Sequence, residues 1–182
     1  MRVIAGTSRG RRLTAPDKAS IRPTSDRVRE AIFDILGSRG GVDGMAVADL
    51  FAGTGALGIE ALSRGAASVV FVDTDPLAVA AVEENVAAVG LSDRVVEIVR
   101  ADVLGWLGGR PPSTFDLVLC DPPYAFDDWF RLFAALPSEV VVAESDRPLP
   151  LPAEWESLRE KRYGGTIVTV ARARRADMEG LS

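Results

Sequence analysis

The sequence predicts an α/β fold, a doubly wound and mostly parallel sheet with helices on both faces, preceded by a small N-terminal β-hairpin and a helix. Three observations carry this. From Met45 onward short apolar runs alternate with helical segments. A glycine-rich turn, Gly53-Thr54-Gly55, separates the first of those runs from the helix after it. The last two runs are joined only by Tyr163-Gly164-Gly165, so an antiparallel hairpin closes the sheet at its edge.

The elements follow in order. Arg2 to Ala5 and Arg11 to Ala15 flank the turn Gly6-Thr7-Ser8-Arg9-Gly10, a small hairpin with a basic tip. Thr24 or Ser25 caps a helix whose Val28, Ala31, Ile32, Ile35 and Leu36 recur at i, i+3, i+4, i+7 and i+8, so that face meets a core. Strands are expected over Ala46 to Phe51, Ser68 to Asp73, Val95 to Arg100, Phe115 to Asp121, Glu139 to Ala143, Trp155 to Arg162 and Thr166 to Ala171. Helices are expected near Leu57 to Arg64, Pro76 to Val89 and Asp127 to Leu136. The second of these is well punctuated: Asp75 as N-cap, Pro76 at the first helical position, Gly90 just past the end. The expected organisation is a basic arm over 1–25, one domain over 26–175 and a frayed tail over 176–182.

Composition narrows the chemistry. The 182 residues contain no His, which removes imidazole-dependent acyl transfer and His-ligated metal sites. The single Cys120 cannot form an internal disulfide and reads as a buried structural thiol. No secretory or membrane-spanning segment is visible, so a soluble, cytoplasmic monomer is expected. The formal net charge of -5 conceals a polarity. Met1 to Arg29 holds eight basic residues and two acids, a net of +6, and the remaining 153 residues carry a net of -11. A basic arm on an acidic body is the electrostatic footprint of a protein that meets a polyanion, with Arg9, Arg11, Arg12 and Arg22 as the expected contacts.

Two motifs carry the chemistry. Asp49-Leu50-Phe51-Ala52-Gly53-Thr54-Gly55-Ala56-Leu57-Gly58 contains a G-x-G-x-x-G between strand and helix. Its glycines let the backbone approach a ligand, and Gly58 permits close helix–strand packing. A dinucleotide fits the pattern, but the carboxylate of Asp49 works against a pyrophosphate and suits an ammonium-bearing ligand such as S-adenosylmethionine. Asp73, ending the neighbouring strand, is placed to accept from ribose hydroxyls, and Asp102, after the third strand, from an adenine amino group. The second motif, Asp121-Pro122-Pro123-Tyr124, ends the fourth strand with prolines that forbid its continuation. A carboxylate and a backbone carbonyl there can accept both N–H bonds of an exocyclic amine and hold its nitrogen in line with a methyl donor. Tyr124 can stack on the extruded base. This transfer needs neither metal nor His.

On these residues the chain resembles the class I S-adenosylmethionine-dependent methyltransferases. It resembles more closely the bacterial small-subunit ribosomal RNA methyltransferases that act on N2 of guanine 966. Ile4-Ala5-Gly6, Gly10 to Leu13 and Arg22 to Leu36 look like that family's N-terminal signature. The resemblance implies a seven-stranded Rossmann-like sheet, an N-terminal hairpin for RNA contact, and 16S ribosomal RNA, within the small subunit or its assembly intermediate, as partner. It implies that Gly53 and Gly55 meet the methionine moiety and that Asp49, Phe51, Ala52, Thr54 and Thr24 are also among the cofactor-binding residues. Asp73 would meet the ribose, Asp102 the adenine, and Asp121, Pro122, Pro123 and Tyr124 the target base. Arg22, Pro23 and Thr24 match a segment expected to close over the site. One departure is that the family often carries Glu where Asp73 stands. The motifs themselves also admit an adenine-N6 methyltransferase acting on RNA or DNA, or a non-catalytic RNA-binding protein that keeps the fold.

Overall fold

The computed structural model describes residues 1–15, 25–91, 95–111 and 113–174. Seven strands form one sheet: β1 (Ala46–Leu50), β2 (Ser68–Asp73), β3 (Val95–Arg100), β4 (Leu117–Cys120), β5 (Val140–Ser145), β6 (Trp155–Tyr163) and β7 (Thr166–Ala173). Their spatial order is β3-β2-β1-β4-β5-β7-β6. The first five run parallel, and β7 lies antiparallel between β5 and β6, as the short Gly164-Gly165 connection requires. The chain steps outward in one direction from β1 to β3 and in the other from β4 to β5. The order therefore reverses between β1 and β4, where a crevice opens beyond the carboxyl ends of the strands.

Helices α1 (Asp26–Gly37), α2 (Ala56–Ser63) and α3 (Pro76–Ala88) share one core with one sheet face; α4 (Val103–Leu107) and α5 (Trp129–Ala135) share a second core with the other. Cys120, fully buried, belongs to the second core, where burial pushes its thiol pKa well up. The sequence pattern did not reveal α4, because five residues are too few to display a helical period.

Helix α1 is capped by Ser25, whose hydroxyl accepts from the Val28 N–H at 3.2 Å; the alternative cap, Thr24, lies outside the described residues. Its buried face corrects the expected one. Val28, Arg29, Ile32, Phe33 and Leu36 are buried, while Ala31 and Ile35 are only partly so. The helix is rotated because Arg29 turns inward to meet Glu60 of α2, with Nε to Oε2 3.8 Å apart and both side chains fully buried.

The N-terminal hairpin is docked on the body rather than held away from it. Val3 and Leu13 are buried in the first core, and a single antiparallel bridge, Arg2 with Arg12, joins its arms. Glu60 accepts from the N–H groups of Ile4 and Ala5 at 2.8 and 3.0 Å, and also pairs with Arg64 at 2.7 Å. Arg29 additionally donates to the Arg2 carbonyl and to Asp26. Burying the Glu60 carboxylate is tolerated because both of its oxygens are bonded. The expected tail over 176–182 lies outside the described residues.

Candidate active site

At the end of β1 the backbone changes hand. Phe51 has φ 58°, a left-handed conformation that costs a non-glycine residue roughly 1–2 kcal/mol. Its ring packs edge-on against Phe126, with centroids 5.2 Å apart, and the Ala52 N–H donates to the Val72 carbonyl at 3.1 Å. Gly53 and Gly55 follow at φ 55° and 75°, and α2 starts immediately after. The Gly53 N–H donates to Asp73 Oδ2 at 2.9 Å, and the other oxygen of Asp73 accepts from the Asp75 N–H at 2.9 Å. Asp73 thus ties the glycine loop to the start of α3. The packing role read for Gly58 is evident, since a Cβ there would stand 2.3 Å from Phe71 Cε1.

Asp49 lies beneath the loop, 1% exposed, and accepts from the Gly58 N–H at 2.8 Å. Burial raises its pKa well above the ordinary value near 3.8; that bond opposes the rise, and the nearby charges of Asp121 and Asp73 add to it. On the adjacent strand β4, Leu50 of β1 lies beside Cys120, so the two motifs leave neighbouring strands at the point where the sheet order reverses. The Asp121 N–H still reaches the Leu50 carbonyl at 3.4 Å, after which the prolines turn the chain into the crevice. The Tyr124 hydroxyl lies 3.2 Å from Thr166 Oγ1 of β7. Arg147 holds the following turn: its guanidinium donates to the carbonyls of Tyr124 and Phe126 at 3.3 and 3.2 Å and pairs with Asp127.

These loops wall one cavity of about 500 Å³. Asp49, Phe51, Ala52, Gly53, Thr54 and Asp73 line it from the cofactor-loop side, and Asp121, Pro122, Pro123 and Tyr124 from the other. Gly55 stands behind the loop instead, where a Cβ would come within 3.1 Å of Val82. Glu144, Tyr163 and Thr166 also line the cavity and were not anticipated. Glu144, 4% exposed, offered a signal: it is the one charged residue of β5, just past the expected end of that strand.

Other expected residues lie elsewhere. Asp102 is the N-cap of α4, its Oδ2 accepting from the Gly105 N–H at 2.7 Å, and it does not line the cavity. Arg9, Arg11 and Arg12 are exposed on the hairpin. The hairpin tip docks at the C-terminal ends of α2 and α3: Ser8 Oγ donates to the Val89 carbonyl at 2.9 Å and Arg11 Nη1 to the Ala88 carbonyl at 3.3 Å. The cavity meets the opposite ends of those helices, at Ala56 and Asp75. Arg22, Pro23 and Thr24 lie outside the described residues.

Residues 1–172 match the family model described as conserved hypothetical protein 95. The chain is 36% identical over 187 residues to YlbH of Bacillus subtilis, across 96% of this chain and 100% of that protein. It is 33% identical over 179 residues to ribosomal RNA small subunit methyltransferase D of Haemophilus influenzae, across 90% and 89%. Among solved structures, yhhF of Escherichia coli superposes with a TM-score of 0.83 at 28% identity, covering 97% of this chain and 99% of that one.

Proposed function

Since this chain belongs to the conserved hypothetical protein 95 family and is a relative of ribosomal RNA small subunit methyltransferase D, we propose that it is a ribosomal RNA methyltransferase. It takes a methyl group from S-adenosylmethionine and places it on the 2-amino group of a guanine, guanine 966, in 16S ribosomal RNA of the small subunit or its assembly intermediate. The observation that carries this reading is the meeting of the glycine loop and Asp121-Pro122-Pro123-Tyr124 across one cavity lined by Asp49, Asp73 and Asp121.

The residues suit this donor. Asp49 is buried among like charges that resist its ionisation, so a ligand bearing an ammonium or sulfonium group relieves the site where a pyrophosphate would aggravate it. Asp73 has a second lone pair on each oxygen for ribose hydroxyls; Asp102, exposed at the start of α4 and outside the cavity lining, meets the adenine amine if the base extends out of the cavity past Asp73. When bound, the donor supplies an activated methyl group on sulfur.

The chain's own residues prepare the acceptor. Asp121 and the Pro122 carbonyl accept the two N–H bonds of the exocyclic amine, drawing its nitrogen out of conjugation and aiming its lone pair. Tyr124 stacks on the base once it has left its own helix. Asp121 or water takes the released proton. In this assignment 26–175 is the methyltransferase domain, the hairpin with Arg9, Arg11 and Arg12 meets a more distant part of the folded RNA, and Arg22 is a further RNA contact.

The test is incubation with methyl-labelled S-adenosylmethionine and, in parallel, naked 16S RNA, small subunits and DNA, followed by mass spectrometry of the nucleosides. N2-methylguanine from RNA or subunits is expected; N6-methyladenine would overturn the assignment. Asp121→Ala should cut transfer by at least ~10²-fold, the scale of losing one transition-state acceptor, while S-adenosylhomocysteine affinity changes little.

A further inference from the structure

A second depression of about 500 Å³ lies between α1 and the edge strand β6. Arg27 and Arg39 stand on its α1 side, Arg159 and Lys161 on its β6 side, and Tyr163 at one end. Tyr163 also lines the cavity that holds Asp121, so the groove and the candidate active site adjoin at one residue. Arg39 joins the walls by donating to the Leu158 carbonyl at 3.2 Å, and Lys161 Nζ sits 5.1 Å from the centre of the Tyr163 ring.

Among the described residues none of these four cations forms an ion pair, whereas Arg29, Arg64, Arg147 and Arg172 all do. Glu30 and Asp34 on the α1 wall leave the groove net positive, and both are acceptors for sugar hydroxyls. From Arg27 to Gly37 the α1 wall spans ~15 Å at the helical rise, room for a few nucleotides, and Arg39 stands just past its end.

We propose that this groove is the track for the single-stranded RNA flanking the target base. Its cations hold successive phosphates and Tyr163 supports a base beside the extruded one, the combination of basic groove and aromatic platform that suits single strands. The inference rests on the RNA methyltransferase reading for its choice of polyanion. It places the RNA entrance on the sheet edge and not on the N-terminal hairpin. The alternative role for cations on an edge strand is to deter pairing with another chain.

The experiment uses the full chain and a short fluorescein-labelled single-stranded RNA, with anisotropy read across a potassium chloride series. R159Q/K161Q should weaken binding ~10-fold at low salt and reduce the slope of log affinity against log salt by about 1.4, some 0.7 for each phosphate left without its cation. R159K/K161R should restore most of the slope. Calorimetric affinity for S-adenosylhomocysteine should match wild type in both variants, which shows that fold and cavity persist. Wild-type RNA affinity and slope in R159Q/K161Q overturn the proposal, and self-association of that variant on sedimentation with unchanged RNA binding would assign the cations to edge protection. Failure of wild-type protein to bind S-adenosylhomocysteine or methylate RNA would sink the methyltransferase reading alone, because the groove is scored by RNA affinity.

Discussion

Asp49 is held where its charge is costly. Its folded pKa is raised chiefly by burial, so the folded state prefers the protonated form. The associated contribution to stability is complete at pH below the unfolded value near 3.8 and is lost as pH rises through the folded value. Asp49→Asn keeps an oxygen to accept from the Gly58 N–H and removes the charge. Its melting temperature without ligand, measured at pH 7, should therefore rise by a few degrees, while S-adenosylhomocysteine affinity falls about ten- to a hundredfold, the scale of one charge-assisted bond. Wild-type affinity should decline as pH falls through the folded pKa of Asp49, and the variant should be flat over that range. A flat wild-type profile would detach Asp49 from the ligand. Asp49, Asp73 and Asp121 were legible in sequence because each stands at or beside the carboxyl end of a parallel strand, where the crevice opens; Asp102, past the end of β3, does not line the cavity. Arg29 and Glu60 were not, since a face chosen by apolar periodicity passes over a buried cation, and the groups that satisfy Glu60 are backbone N–H groups about 55 residues away.

Among the elements, the hairpin shows most clearly what pattern alone conveys. Its turn residues announced two arms and a tip; its docking depends on contacts with α2 and α3 that no local pattern encodes. Gly6, at φ 82°, sits so close to α2 that a Cβ would lie 1.7 Å from the Ser63 carbonyl oxygen. The Thr7 N–H donates to that oxygen at 2.8 Å and the Ser8 N–H to Ser63 Oγ at 3.0 Å. Gly6→Ala must therefore lift the tip from α2, at roughly 2–4 kcal/mol from overpacking and the left-handed conformation together. Urea unfolding should show the loss of stability, and amide exchange should show reduced protection at Thr7 and Ser8. Retained protection would mean that the body yields instead. The effect should extend to the glycine loop through Asn85 of α3, whose amide donates to the carbonyls of both Thr14 and Thr54 at 2.9 Å. The sheet was legible down to the antiparallel position of its last strands, because alternating apolar runs and one short connection leave few topologies.

At the scale of the whole molecule, the fold divides a positive charge that looks continuous in sequence. Of the cations from Met1 to Arg29, Arg29 enters the core beside Glu60, Arg27 lines the groove between α1 and β6, and Arg11 meets the C-terminal end of α3. Arg9 and Arg12 remain exposed on the docked hairpin. The rise of α2 sets that tip back from the cavity by ~11 Å, so a strand of two or three nucleotides that runs from Asp121 into the groove between α1 and β6 does not also reach it. A large folded RNA can. Replacing Arg9, Arg11 and Arg12 with Gln should therefore leave affinity for a short single strand close to wild type. The same variant should weaken binding of 16S RNA or small subunits, with a salt slope reduced by up to about 2 if each cation meets one phosphate. Because Arg11 also donates to the Ala88 carbonyl, thermal melting must accompany the titration, and a variant retaining Arg11 separates the cap from the charge. Equal losses for short and long RNA would put the hairpin within reach of the target strand, and no loss for either would make it purely a clamp on α2 and α3. The division predicted instead, local strand to the groove and distant RNA to the hairpin, lets a domain with one catalytic cavity require the shape of its substrate as well as the base it modifies.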